Sequence, residues 1–300
     1  MRKFVVKTIV FICSFMFIVT ISFSGIYFHF SKHPFRESYH TVFLGDSRIQ
    51  YLFKSNANYA YNSESFKFNY YKLLSLNKIK KTDTVFLGCS HHSFSHYFEG
   101  YLNNQQEVLP RYFVIDPEPN KMFQQFNFTN LHFLIKKQYE FTYNAIFKNY
   151  NFVPAGYAIP SRKKVDMTKL KNRIQQQFYD HQHVMKFSSQ QIAYFDTIVQ
   201  YCKKQQIQLI LINSPVYPAY KSLIPSEYQN LYSAKTKKIQ MLDLSDSLRK
   251  PDDFMPDGDH ISRTAFDKTT KMIHRFRYLN SQEFNVPQKK HLLHNHSNKK

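Results

Sequence analysis

Cysteine is scarce: Cys13, Cys89 and Cys202 are the only three in 300 residues. Three thiols cannot staple a disulfide scaffold. Cys13 lies in an apolar run, so only Cys89 and Cys202 are left to pair in the folded part, and no local pattern joins them. Acidic residues are also few, 21 Asp and Glu against 41 Lys and Arg, for a formal charge of +20. That surplus suits anionic partners such as nucleic acid, lipid headgroups or acidic glycans. Nucleic acid is the weakest of these, because zinc-finger spacing, an RNA-recognition signature and a dense basic helix are all missing. Tryptophan is absent, but 22 Tyr and 30 Phe accompany an ordinary hydrophobic content. A sizeable core is therefore affordable, which excludes a disordered chain. The length suits one domain with additions.

What is present begins with "MRKFVVKTIVFICSFMFIVTISFSGIYFHF", where Arg2, Lys3 and Lys7 precede an uncharged stretch over residues 8–28. About 20 apolar residues span a bilayer as a helix, and flanking basic residues keep their end in the cytoplasm. A cleaved signal peptide has a shorter apolar core and a small-residue cleavage site; this run ends in bulky Tyr27, Phe28 and Phe30. The expectation is a single-pass anchor over residues 1–30, a linker over 31–40, and a main domain over 41–279 that is periplasmic or extracellular. No other segment is long and apolar enough to span.

Along the main domain, short apolar runs end in small polar residues. "TVFL" (41–44) stops at Gly45, and "TVFLG" recurs at 84–88. "RYFVIDPEP" (111–119), "IQLILINSPVY" (207–217) and "IQMLDLSDS" (239–247) repeat the pattern, and "NYAYNSES" (58–65) is a weaker strand. Helical spacing falls on "SFKFNYYKLLSL", on 188–206, where Ser188 and Gln191 form a capping-box pattern, and on 262–276. Continuous apolar strands alternating with helices predict a parallel sheet covered on both faces. Working residues in such folds gather at the carboxyl ends of the strands. Residues 120–187 read as an insertion or cap beside the sheet, and 280–300 as a disordered basic tail.

A serine hydroxyl needs a base within hydrogen-bond reach, a group to orient that base, and donors for the oxyanion. Ser47 follows the first buried strand directly, and a helix starting there would aim backbone N–H groups at developing negative charge. Near the other end, "FMPDGDHISRTAF" sets His260 just before the last helix with Asp257 three residues earlier. A tight loop at Gly258 can fold Asp257 onto one imidazole nitrogen and leave the other facing the serine. Asp259 is the adjacent alternative, but neighbouring side chains diverge.

Gly45-Asp46-Ser47 early and Asp257-x-x-His260 late resemble the SGNH, or GDSL-like, hydrolase superfamily over roughly residues 40–275. The resemblance implies a flavodoxin-like three-layer α/β/α sandwich, with Ser47 as nucleophile, His260 as general base and Asp257 as orienting acid. That family also supplies oxyanion donors from a glycine after its second strand and an Asn in a Gly-x-Asn block after its third. Here Asn62 and Ser63 stand in the first place without a glycine, and Gly88 with Ser90 in the second. The chain further resembles membrane-anchored envelope members, which move acyl groups onto or off surface polymers beside a multi-spanning acyltransferase. The resemblance implies an esterase or O-acyltransferase acting on an acyl-bearing envelope glycan or polymer, with that acyltransferase as a candidate partner. The alternative is a catalytically inactive relative that binds a glycan or that acyltransferase.

His91, His92 and His96 are better read as loop histidines near substrate than as metal ligands, since no binuclear phosphoesterase signature is present. No metal or other cofactor is expected, nor a nucleic-acid partner. Arg48 is either a first-turn surface residue or an anion contact. Asp116 and Glu118 are pocket candidates, or acids that cap turns before prolines. Cys89 reads as a small buried residue.

Overall fold

Residues 2–32, 34–99, 128–148 and 150–284 are described in the computed structural model. The chain begins with helix α1 (Arg2–Lys32), strand β1 (Thr41–Leu44), the one-turn helix α2 (Ser47–Gln50), α3 (Phe66–Ile79), β2 (Thr84–Gly88) and a 3₁₀ turn (His91–Phe94). Next come α4 (Phe128–Phe147), α5 (Met167–Phe178) and a hairpin of β3 (Tyr179–Asp180) and β4 (His183–Val184). The chain continues through α6 (Ser189–Lys204), β5 (Gln208–Asn213), α7 (Pro218–Ser222), α8 (Ser226–Thr236), β6 (Gln240–Asp243) and α9 (Arg263–Phe284).

Strands β1, β2, β5 and β6 form one parallel sheet in that order. The repeated TVFL segments of β1 and β2 pair like with like: Val42 beside Val85, Phe43 beside Phe86, Leu44 beside Leu87. The Phe43 and Phe86 rings stack at 4.6 Å. Side chains alternate along a strand, so each strand feeds two cores. Val42, Leu44, Val85, Leu87 and Leu211 pack with Phe68, Leu73 and Leu76 of α3 and with Phe195 and Ile198 of α6. Phe43, Phe86, Ile210 and Ile212 pack with Ile49, Leu52 and Phe53 and with Ala265, Phe266 and Ile273 of α9. Burial of each such side chain contributes roughly 1.5–3 kcal/mol. A sheet covered on both faces therefore needs unbroken apolar strands, and the expected mixed α/β architecture with a parallel sheet and helices is present.

Several sequence expectations shift. The 58–65 segment is not a regular strand. Asn58 alone makes a parallel bridge with Phe43, and the Tyr59 and Tyr61 amides donate to the Phe43 and Gly45 carbonyls. This lane lies on the side of β1 away from β2, but turns at Asn62 and Ser63 prevent it from extending. The 31–40 linker is docked: Phe35 is buried against Tyr59, and Arg36 binds the Ala145 and Tyr150 carbonyls. Ser188 caps α6 as expected, but Gln191 does not close the box; its Oε1 accepts the Phe66 N–H at the start of α3. Helix α9 continues to Phe284, past the expected start of the tail. Cys89 and Cys202 are both free and buried. The strand at 111–119, with Asp116 and Glu118, lies outside the described residues, as does the tail from 285 onward.

Among the described residues, no helix is long and apolar enough to cross a membrane. The side chains of α1 are described without a break only from residue 3 to residue 18, where Phe4, Ile9, Phe11, Ile12, Phe15 and Ile18 are all exposed.

Candidate functional site

The site is built at the carboxyl ends of β1 and β2. Gly45 and Gly88 end the two TVFL runs and lie against each other. A Cβ on Gly88 would stand 2.3 Å from Ile49 Cγ1, and one on Gly45 would stand 2.6 Å from the same atom. Gly45 also has φ +148°, in the region that favours glycine. The two bare backbones form a floor on which Ile49 rests, and Ile49 holds α2 down on the sheet. Asp46 caps α2: its Oδ1 accepts the Arg48 N–H at 2.9 Å, and its carbonyl accepts the Ile49 and Gln50 N–H groups. The N–H of Ser47 is the donor this turn does not use internally.

Ser47 Oγ stands 2.7 Å from His260 Nε2, and His260 Nδ1 stands 2.8 Å from Asp257 Oδ2. The loop that ends in His260 is shaped by the same carboxylate, since Asp257 Oδ1 accepts the backbone N–H groups of Asp259 and His260. Gly258 sits between them at φ +66°, and a Cβ there would meet Leu170 Cδ1 at 2.7 Å. With Nδ1–H donating to Asp257, Nε2 presents its lone pair to the Ser47 hydroxyl, which donates the hydrogen bond. Burial alone would raise the Asp257 carboxyl, but the charge and hydrogen bond of His260 outweigh it and hold the group below its usual value. Tyr51 sets its edge against the imidazole, with ring centroids 5.6 Å apart.

Ser47, His260 and Asp257 line a cleft of about 200 Å³, together with Asn62, Ser63, Tyr97, Arg173 and Met255. Asn62 and Ser63 thus reach the site from the turn after the edge lane. Ser63 has φ +60°, a conformation that favours glycine. The backbone here takes the shape a glycine would supply, although the residue is a serine.

Of the other oxyanion and substrate candidates, His92 lines this cleft, and Gly88, Ser90, His91, His96 and Arg48 do not. Gly88 is floor beneath Ile49. Ser90 Oγ bonds His92 Nδ1 at 2.9 Å, and His92 Nε2 in turn donates to Asp46 Oδ2 at 2.9 Å. Burial and the nearby Arg48 charge push the His92 pKa down, which favours a neutral imidazole, and its ring braces Asp46, the residue before Ser47. His91 stacks on Tyr232 with ring centroids 4.4 Å apart. Burial and the Arg48 charge lower its pKa to about 4. Arg48 is a buried residue rather than a first-turn surface one, and the anion it meets is a carboxylate of the chain itself. It is 5% exposed and pairs with Asp259, with Nη2 also donating to the Tyr220 hydroxyl.

Asp259 diverges from Asp257 and accepts from Arg173 Nε at 2.7 Å and Gln177 Nε2 at 2.8 Å. Burial would raise its pKa; Arg48 and Arg173 instead hold it well below the usual carboxylate range. Arg173 Nη1 also donates to the Tyr97 hydroxyl. Arg173, Tyr97 and Tyr51 were not legible as site residues, because they come from helical or loop segments without motif spacing. His92 was visible only as one of three loop histidines. Among the described residues, no group of three His, Cys, Asp or Glu side chains is arranged to hold a metal ion.

No protein-family model matches the chain, and no curated protein matches it. One solved structure, from Streptococcus pneumonia and named for platelet activating factor, is similar over 84% of this chain and 91% of its own. Its identity is 10% and the TM-score 0.36.

Proposed function

We propose that the protein is a serine-dependent acyl-ester hydrolase or O-acyltransferase of the SGNH type, acting on an acylated cell-envelope polysaccharide or similar surface polymer. The observation that carries this reading is the unbroken relay from Ser47 through His260 to Asp257, opening on a cleft. Ser47 Oγ attacks the acyl carbonyl while His260 Nε2 takes its proton. The same proton passes to the departing alkoxide as the ester bond breaks, leaving an acyl-serine. Water or an acceptor hydroxyl then attacks the acyl carbon and gives its proton to His260, and Ser47 is released with its hydroxyl restored. The Ser47 N–H and the Asn62–Ser63 turn are the candidate oxyanion donors.

The edge lane beside β1 adds a strand position to the 1-2-5-6 order, which supports a flavodoxin-like arrangement. The exposed apolar side chains of α1 and the basic residues Arg2, Lys3 and Lys7 support a single-pass anchor, with the domain outside the cytoplasm and within reach of a multi-spanning acyltransferase partner.

A non-catalytic binding role is favoured by one observation: Ser90, in the family's donor position, is engaged by His92 rather than by the cleft. The deciding test is a fluorophosphonate probe on the full chain in detergent, beside Ser47→Ala and His260→Ala. Labelling lost in both variants supports the enzyme; a folded wild type that stays unlabelled supports the binding role.

A further inference from the structure

Next to the reaction cleft lies a second and larger one, about 1020 Å³. Asn62 and Ser63 line both, so the two spaces meet at the turn that flanks Ser47. The smaller space suits an acyl group and the reacting atoms. The larger is at the top of the roughly 300–1,000 Å³ range of small-molecule pockets and has room for a chain of several rings.

Tyrosine and asparagine are the most frequent residues in its wall, beside Phe141, Phe152 and the charged pairs described below. Tyr39, Tyr61 and Tyr157 are partly exposed in it, and Asn56, Asn144 and Asn151 accompany them. A tyrosine ring offers an apolar face with a polar tip, and an amide offers both donors and acceptors. That pairing matches a sugar ring, which has an apolar C–H face and a rim of hydroxyls that both donate and accept. The wall is also held in shape. Arg36 donates from its backbone to Asn151 Oδ1 and from its side chain to the Ala145 and Tyr150 carbonyls, which ties the docked 34–40 segment to the end of α4.

The charges on this wall cancel. Arg36 and Lys137 are matched by Glu37 and Glu140. Lys137 pairs with Glu140 at 2.9 Å, and the Glu37 carboxylate accepts the Tyr39 hydroxyl at 2.8 Å. The formal +20 of the chain is therefore not carried by the residues that line this cleft, and the lining presents no basic patch to a polyanion.

We infer that the Tyr- and Asn-lined cleft is the acceptor subsite, and that it binds an uncharged glycan chain whose acylated or acyl-accepting sugar reaches Ser47 past Asn62 and Ser63. This inference rests on the acyl-transfer reading for its role, but binding can be measured without turnover.

The full chain in detergent is titrated calorimetrically with uncharged hexasaccharides (chitohexaose, cellohexaose and maltohexaose) and with hexagalacturonate as the acidic counterpart. Tyr61→Ala and Tyr157→Ala are compared after circular dichroism has shown them folded; Asn56→Ala, at the rim, serves if either fails to fold. The expected result is saturable binding of at least one uncharged hexasaccharide, weakened about tenfold by loss of one stacking ring, with hexagalacturonate bound no better. Absence of uncharged-glycan binding, binding unaltered by the substitutions, or preference for hexagalacturonate would each overturn it. Fluorophosphonate labelling of the same wild-type sample separates the two readings. Labelled protein that binds no glycan sinks the subsite alone; glycan binding by unlabelled protein sinks the serine chemistry alone.

Discussion

Ser47 Oγ and His260 Nε2 lie 2.7 Å apart although 213 residues separate them. One sits on the first turn after β1 and the other on the loop that leads into α9. Their meeting depends on α9 packing across the sheet face that carries Phe43 and Phe86.

If the pair acts as a unit, Ser47→Ala and His260→Ala should each lower hydrolysis of a small activated ester by about a thousandfold or more, and the double variant by no more than either single one. The measurement is kcat/KM for the three variants. Losses that multiply would mean that the two side chains act independently.

Asp257→Asn should leave the loop in place and still cost on the order of 10⁴ in kcat. The amide keeps an acceptor for the Asp259 and His260 N–H groups but no longer holds Nδ1–H in place, so Nε2 loses its assured lone pair. KM should move little. An equal fall in affinity would point to a structural role instead.

Gly88→Ala should destabilise by about 1–3 kcal/mol through overpacking, because its Cβ would fall on Ile49 Cγ1, and it should reduce fluorophosphonate labelling by tilting α2. Ile49→Ala removes the atom that is struck. Urea unfolding of the double variant should therefore show less destabilisation than the two single costs together. Simple additivity would refute the floor described for Ile49.

Stability should fall between pH 7 and pH 5. An unfolded histidine takes up a proton near pH 6.5, whereas His91 in the fold resists protonation down to about 4. Its contribution is thus complete above pH 6.5 and lost as the pH drops toward 4. Between pH 7 and 5 this amounts to about 2 kcal/mol from His91, and buried His92 shifts in the same direction. Denaturant midpoints at the two pH values check it, and His91→Phe, which keeps the ring against Tyr232, should show a visibly flatter dependence.

Asp259→Ala should be among the most damaging substitutions, about 3–5 kcal/mol, since it leaves Arg48 buried without its counter-charge. Thermal unfolding reads this directly. A change of under about 1 kcal/mol would mean that water or another group reaches Arg48.

Much of the scaffold was legible because it is encoded locally. Short apolar runs of four to six residues such as TVFL and QLILIN, closed by glycine or small polar residues, favour strands buried on both faces, and Ser188 at the head of an amphipathic run favours a cap. Asp257, Gly258 and His260 were readable for the same reason, since a three-residue spacing and a left-handed glycine close that loop without help from the rest of the chain. Residues 58–65 alternate as a strand would, but they pair with β1 only through the Asn58 bridge and the Tyr59 and Tyr61 amides before the chain turns at Asn62. Ser63 takes a glycine-like turn that its side chain does not advertise.

By itself, the sequence determined the class of sheet, the position of Ser47 at a strand end and the internal geometry of the Asp257–His260 loop, because hydrogen bonds and side-chain periodicity over a few residues decide those. Only the tertiary structure decided that Arg48 is buried on Asp259, that Gly88 packs beneath Ile49, that Arg173 and Tyr97 line the cleft beside Ser47, and that a second cleft with tyrosines and asparagines in its lining adjoins it. Those outcomes depend on the packing of α5, α9 and the docked 34–40 segment against the sheet, which no short stretch of sequence specifies.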